Sequence, residues 1–337
     1  MTEREAQIIE YIKQNPFITQ QQLADVLGIE RSSVAVHISN LSKKGIIKGK
    51  GYIIESTNYV VVIGGSNMDL LGTPHQHLIM GDSNPGTISL SPGGVGRNIA
   101  ENLSYMGIDV KLLSAVGSDV YGDQLIQETS SAGVDMHYIQ QSPNLSTSLY
   151  MSILDETGDM SAAISHMDIT KTIDKDYILK NRALIENAKF IIIDLNLSSD
   201  TIAYVMGTFS HIPIVVDTVS VTKSVKIKPY LDHIFAIKPN KKEAEAILDL
   251  EVTSDKDCEK ALIAFQSSGV KFPMISLGKD GIAYLNHKKM VISPSLVTDV
   301  VNANGAGDRD ANVFASSSCR SVIGDDNSPA VERTGNA

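Results

Sequence analysis

Cysteine is nearly absent from this chain: of 337 residues, only Cys258 and Cys319 are cysteine. Two thiols without Cys-x-x-Cys spacing exclude a disulfide framework and a thiolate metal site, and both are read as inert. Long apolar runs are also lacking. No stretch approaches the roughly 18 residues of a membrane span, and the start, Met1-Thr2-Glu3-Arg4-Glu5, has no signal-peptide pattern. The expectation is a cytoplasmic chain with no membrane partner. Excess positive charge is missing as well, and a net charge of −10 argues against non-specific nucleic-acid binding by the whole molecule. The hydrophobic content of 42% is enough, over this length, for one large domain and a small one.

The charge is unevenly spread. Residues 1–55 hold seven Lys or Arg against six Asp or Glu, and Arg31, Lys43, Lys44, Lys48 and Lys50 occupy 31–50 with no acid among them. The spacing predicts three helices and a ribbon. Ile8, Ile9 and Ile12 form one stripe, ended by Asn15-Pro16. Thr19 with Gln22 reads as a capping box ahead of Leu23, Ala24 and Leu27, stopped by Gly28. Val34, Ile38 and Leu41 form the apolar face of a third helix over 31–44, and 46–54 reads as a hairpin with a basic tip. This order resembles a winged helix-turn-helix, in which Arg31, Ser32, Ser33 and His37 would face DNA and Lys48 and Lys50 would touch phosphates. A small helical dimerisation domain with solvated lysines is the alternative.

Beyond a polar break at Ser56-Thr57-Asn58, Tyr59-Val60-Val61-Val62-Ile63 is a continuous apolar run of the kind that forms a buried strand. Similar runs at 111–116, 190–195, 212–216, 234–237 and 274–277 are each followed by a helical pattern. The expectation is an α/β fold with a mostly parallel sheet, helices on both faces, and ligands beyond the carboxyl ends of the strands.

Candidate chemistry lies at those ends. In Val301-Asn302-Ala303-Asn304-Gly305-Ala306-Gly307-Asp308 three small residues let several amides converge on an anion, and a carboxylate follows. An anion cradle beside a base suits phosphoryl transfer to a hydroxyl. In Gly64-Gly65-Ser66-Asn67-Met68-Asp69 an amide and a carboxylate could grip neighbouring hydroxyls, although both residue types are also ordinary in turns. Ser91-Pro92-Gly93-Gly94-Val95-Gly96-Arg97-Asn98 runs into a helix start, an anion or polar-ligand arrangement without the Gly-Lys-Ser/Thr of a Walker loop.

Together with Gly117-Ser118-Asp119-Val120-Tyr121-Gly122, Asn240-Lys241-Lys242-Glu243 and Ser276-Leu277-Gly278-Lys279-Asp280-Gly281, these motifs stand in the order of the ribokinase-type, or PfkB, carbohydrate kinases, which the chain resembles over about 58–308. The resemblance implies a ribokinase-like fold with a small β lid, here at 73–90 and 146–164, and transfer of phosphate from ATP with Mg²⁺. It assigns Asp308 as catalytic base and Asn304, Gly305, Ala306 and Gly307 as the anion hole. Asn67, Asp69, Gly94 and Asn98 become substrate-binding residues. Asn240 and Glu243 serve phosphate and, indirectly, Mg²⁺, and Ser276 and Gly278 contact the nucleotide. His75, His77 and His166 read as exposed lid histidines. Val215-Val216-Asp217-Thr218-Val219-Ser220 with Lys223, and the Asn-x-Asn of the anion loop, look similar to pseudouridine and nucleoside kinases.

After Asp308 the pattern departs from the family. Arg309-Asp310, three serines at 316–318 and a polar end give no 3.6-residue stripe, so 309–337 is expected to be an altered or truncated tail. Three readings stay open. The chain is a sugar or nucleoside kinase fused to a winged helix, a regulator using the kinase fold as a sugar sensor with DNA as partner, or an inactive kinase. A homodimer is compatible with each.

Overall fold

The structure is a computed structural model and describes residues 1–15, 18–48, 58–286 and 289–294. Lys50, the hairpin beyond residue 48, Cys319, the anion loop with Asp308, and the 309–337 tail lie outside the described residues.

Three helices open the chain, α1 (Glu3–Gln14), α2 (Gln20–Leu27) and α3 (Arg31–Lys43). Thr2 and Thr19 each close a capping box, the second with the expected Gln22, and Gly28 ends α2 in the left-handed region. The expected stripes meet in one core of Ile8, Ile12, Leu23, Val34, Ile38 and Leu41. Glu5 is buried at the start of α1, and both of its carboxylate oxygens accept from Lys44 Nζ, at 2.9 and 2.8 Å. This pair joins the two ends of the bundle and holds the Glu5 carboxyl below its usual range.

The large domain begins at β1 (Tyr59–Ile63), followed by β2 (Asn67–Pro74), β3 (Gly86–Gly93), α4 (Val95–Tyr105), β4 (Asp109–Leu113), β5 (Ala115–Gly117) and α5 (Val120–Ser131). Next come β6 (Gln140–Ser142), β7 (Ser148–Leu154), β8 (Met160–His166), α6 (Lys175–Lys180), α7 (Arg182–Glu186), β9 (Phe190–Asp194) and α8 (Ser199–Thr208). The chain continues through β10 (Ile214–Asp217), α9 (Val221–Ser224), β11 (Ala236–Lys238), α10 (Lys241–Leu248), α11 (Asp255–Ser267), β12 (Phe272–Ser276), β13 (Ile282–Asn286) and β14 (Lys289–Ser293).

Eight strands form the main sheet in the order β14-β13-β12-β11-β10-β9-β1-β4. All pairs from β12 to β4 are parallel, while β13 and β14 add an antiparallel edge. Alternation divides β1 and β9 between two cores, because successive side chains point to opposite faces. Tyr59, Val61, Ile63, Ile191 and Ile193 face the core completed by α6, α7, α8, α10 and α11. Val60, Val62, Phe190 and Ile192 face the core completed by α4. Aromatic contacts carry the second face onward from Phe190 through Phe235 to Phe272, which is 45% exposed.

The expected lid is a four-stranded sheet, β3-β2-β7-β8, with two differences from the sequence reading. It starts at Asn67 rather than near residue 73, so Asn67 and Asp69 sit in a strand rather than a turn. The expected strand over 111–116 is interrupted at Ser114, where β4 ends and β5 turns away to pair with β6. His75, His77 and His166 are exposed on the lid, as expected.

The Gly117–Gly122 motif fastens the lid. Asp119 caps α5 at Gly122 N and accepts Thr147 N at 2.7 Å and Thr147 Oγ1 at 2.6 Å, one residue before β7. Burial pushes the Asp119 carboxyl up, but the Thr147 and backbone hydrogen bonds outweigh it and leave it below its usual range. A Cβ on Gly122 would lie 2.1 Å from the Gly117 carbonyl oxygen.

Two outcomes follow for stability. Gly122→Ala should cost about 2–3 kcal/mol by overpacking, whereas Gly207→Ala, in α8 with nothing near its Cβ, should gain about 0.5 kcal/mol; urea unfolding of both variants measures this. Because Glu5 titrates lower when folded than unfolded, its stabilisation is present above about pH 4.3 and is lost as pH falls through the lower folded value. Lys44→Met should reduce that acid sensitivity of the winged helix, leaving the part due to the Thr2 amide, read by amide exchange in α1 and α3, at a cost of about 1 kcal/mol given the half-exposed lysine.

Candidate active site

The carboxyl end of β9 organises the site. Asp194 ends an otherwise apolar strand and is fully buried. Its Oδ2 accepts Gly65 N and Gly96 N, each at 2.8 Å, and its Oδ1 accepts Asn196 N at 2.8 Å. One carboxylate thus joins the loop after β1 to the first turn of α4. The approach is too close for side chains. A Cβ on Gly64 would lie 2.4 Å from Asp194 Oδ2, and one on Gly96 would lie 2.7 Å from Gly64 Cα. Gly94 adopts φ +99, and a Cβ there would lie 2.5 Å from the Gly65 carbonyl oxygen. Burial pushes the Asp194 carboxyl up, three hydrogen-bonding groups pull it back, and nearby Asp217 adds to the rise.

This clamp sets the start of β2. Asn67 is 6% exposed and pairs with Gly93 across the lid sheet. Its Nδ2 donates to Asp69 Oδ1 at 2.5 Å, and a Cβ on Gly93 would lie 2.4 Å from Asp69 Oδ2, so the carboxylate rests on bare glycine backbone. Burial raises Asp69, opposed by the Asn67 hydrogen bond and the charge of Arg97. Arg97, 4% exposed, donates to Thr129 Oγ1, Asn98 Oδ1, the Pro92 carbonyl and Glu101. It fixes Asn98 in the first turn of α4 beside the glycine loop. The expected substrate residues Asn67, Asp69, Gly94 and Asn98 are therefore brought together.

A second group lies along the same sheet edge. The last residues of β9, β10 and β11 are register partners: Asp194 with Asp217, and Asp217 with Lys238. Lys238 Nζ is 3.7 Å from Asp217 Oδ2, with both residues buried. One strand further, Ser276 bridges to Asn240 and donates through its amide to the Pro239 carbonyl at 2.9 Å. Gly278 turns at φ +64 with open space around it.

The Asn-x-x-Glu motif forms a capping box on α10. Asn240 Oδ1 accepts Glu243 N, and the Glu243 carboxylate accepts Asn240 N and Asn240 Nδ2, all at 2.9 Å. Thr218 Oγ1 adds a 2.6 Å bond to Glu243 Oε2. Glu243 thereby ties the β10 turn to the α10 start, a structural task the motif alone did not reveal. That turn is strained, since Val219 stands at φ +62, where β-branched residues are rarely found.

Sequence reasoning missed Asp194, Asn196 and Lys238, and singled out Asp217 only within the segment similar to pseudouridine and nucleoside kinases. A carboxylate closing an unbroken apolar run, as in Phe-Ile-Ile-Ile-Asp and Ile-Val-Val-Asp, was the available signal. Among the DNA-facing candidates, Arg31, Ser32 and Ser33 are exposed and His37 partly so. Lys48 is instead engaged by the large domain: its Nζ donates to Tyr138 Oη at 2.7 Å and lies 5.4 Å from the ring centre. Among the described residues, no group of three or more His, Cys, Asp or Glu is placed to hold a metal, and no helix is long and apolar enough to cross a membrane.

Comparison with known proteins gives the family and the fold. Residues 57–320 match the pfkB family carbohydrate kinase model, a match that continues past Asp308, and residues 1–48 match a winged helix-turn-helix DNA-binding model. The uncharacterized sugar kinase YeiI of Escherichia coli (strain K12) is 38% identical over 312 residues, covering 91% of this chain and 85% of that protein. The pseudouridine kinase of the same organism is 39% identical over 252 residues, covering 74% and 80%. The structure of Arabidopsis thaliana ribokinase complexed with ribose and ATP superposes with a TM-score of 0.69 at 18% identity, covering 79% of this chain and 89% of that one, a likeness of fold. The chain belongs to the pfkB family of carbohydrate kinases, which phosphorylate a sugar or nucleoside with ATP, and carries a winged helix-turn-helix ahead of its ribokinase-like domain.

Proposed function

We propose that the acceptor is a nucleoside, with pseudouridine the first to test, and that Asp308 is the base that takes the proton from its attacking hydroxyl. The observation that carries this reading is the Asp194 clamp, which brings Asn67, Asp69, Gly94 and Asn98 to one place beyond the carboxyl ends of β1 and β9. There Asp69 accepts from, and Asn67 donates to, neighbouring hydroxyls, while Gly93 and Gly94 let the two loops close around Asp69 and the Gly65–Ser66 backbone. Similarity to a pseudouridine kinase supports the nucleoside, as does the Asp217-Thr218-Val219-Ser220 turn with Lys223.

The phosphates of ATP would then lie over the ends of β10 to β12, with Lys238 supplying positive charge and Asn240, Ser276 and Gly278 the polar rim. Residues 304–307 are assigned to hold the charge that develops on the moving phosphate. The donor set fits Mg²⁺ held mainly by phosphate and water, since Glu243 Oε1, which accepts from Asn240 Nδ2, has a lone pair for a water as well. Bound there, Mg²⁺ would supply charge neutralisation. We place residues 1–55, 58–308 and 309–337 as DNA-binding domain, kinase domain and tail, in a cytoplasmic protein. The winged helix would present Arg31, Ser32, Ser33 and His37 to DNA, with Lys50 reaching phosphate. A sugar-responsive regulator is favoured as a second role by the Lys48–Tyr138 contact, which engages a wing lysine on the kinase domain.

ATP consumption with Mg²⁺ and a panel of pseudouridine, guanosine and ribose tests the proposal. Turnover should be highest with pseudouridine, and Asp308→Asn should lower kcat at least about 100-fold with the acceptor KM little changed. A variant that keeps its turnover would remove Asp308 from the role of base. Asn67→Ala should act on the acceptor instead, raising its KM about tenfold for a lost hydrogen bond to a buried carboxylate partner.

A further inference from the structure

One set of polar groups plays no part in the chemistry above, and it runs from the exposed Lys48 of the winged helix inward to the glycine loop. It begins at Lys48 Nζ, 2.7 Å from Tyr138 Oη. The main-chain carbonyl of Tyr138 accepts a short hydrogen bond from Tyr177 Oη. The same phenol is 3.3 Å from the Ser114 carbonyl oxygen. Ser114 Oγ accepts Ser66 Oγ at 2.9 Å, and Ser66 is the residue before Asn67. Ser66, Ser114 and Tyr177 are buried, so water does not compete at the bonds among them, while the Lys48–Tyr138 bond is exposed.

Tyr177 is the element with two settings. A phenol has one proton to donate, and here two carbonyls share it, one on the winged-helix side and one on the substrate side. Drawing Tyr138 closer strengthens one bond at the expense of the other, and the Ser114 carbonyl is also held by Gln140 N at 2.9 Å, where β5 meets β6. A second contact reaches the same region of the kinase domain. Asn187, just after α7, donates to the Lys44 carbonyl at 2.8 Å, and a Cβ on Gly45 would lie 3.2 Å from Ala183 Cβ. The docked end of α3 therefore bears on the α6–α7 unit that carries Tyr177.

We propose that Tyr177 is a positioning residue for the substrate loop, and that docking of the winged helix at Tyr138 sets, through Tyr177 and Ser114, where Ser66 and Asn67 stand. The inference rests on the reading of Asn67 as a substrate-binding residue. Coupling of this kind is reciprocal, so occupation of the substrate loop changes how tightly Lys48 is held, and hence its availability to DNA.

The test is amide hydrogen exchange, followed by mass spectrometry, on the full chain without ligand. Lys48→Ala, and independently Tyr138→Phe, should raise exchange over residues 64–69 about fivefold, the scale of one lost hydrogen bond. Tyr177→Phe should raise exchange there to a similar degree, and in that background Lys48→Ala should add nothing over 64–69. Changes confined to 41–48 and 136–140, or an undiminished Lys48→Ala effect in the Tyr177→Phe background, would overturn the proposal. Since no acceptor is involved, a failure here is separate from a failure of the nucleoside assay.

Discussion

A single buried carboxylate supports the rest of this structure. Asp194 brings three backbone amides to one point, two of them from segments 129 and 98 residues away in sequence. Burying an ion costs several kcal/mol, and only donors aimed at it in fixed positions offset that. Here the donors are main-chain N–H groups of loops that glycine allows to touch. Larger residues at 64, 94 or 96 would separate the loops, and besides the carboxylate it is Arg97 N, donating to the Gly65 carbonyl at 3.2 Å, that joins them. The clamp is thus both the reason for the glycines and the origin of the site.

From this point the geometry extends in two directions. Toward the lid, Asn67 and Asp69 emerge as alternate residues of β2, while Asp119 fastens the start of the parallel strand β7 through Thr147, so the substrate residues ride on a strand whose start is held from two sides. Toward the nucleotide side, parallel register lines up Asp194, Asp217 and Lys238 and leads to the α10 capping box. Glu243 is bound into that box and to Thr218, so the motif holds the β10 turn and the α10 start in register before any phosphate arrives. The strain at Val219 sits within the same joint.

The sequence carried the architecture well, because local rules decided it. Uninterrupted apolar runs placed the parallel strands, and Thr19 with Gln22 and Asn240 with Glu243 marked helix starts. It carried the glycine loops as motifs but not as a contact, because the partners of Asp194 are distant in sequence and a lone acid after four apolar residues has many other uses. The Gly-Gly before Asn67 and Asp69 suits a turn as well as a strand, and pairing with Gly93 and Ser148 settles the strand. The winged-helix pattern assigns Lys48 to phosphate, and the phenol that receives it instead lies 90 residues further on.

The central claim is that the amide bonds to Asp194 hold the two loops together, and equilibrium urea unfolding of Asp194→Asn beside Asp217→Asn measures this directly. Asparagine keeps the size but turns an NH₂ group toward one set of donors, so the account predicts a loss of about 3 kcal/mol or more for Asp194→Asn and a clearly smaller loss for Asp217→Asn. Equal losses, or an Asp194→Asn protein more stable than its parent, would mean that burial of the charge dominates and that the clamp is not what holds the loops together.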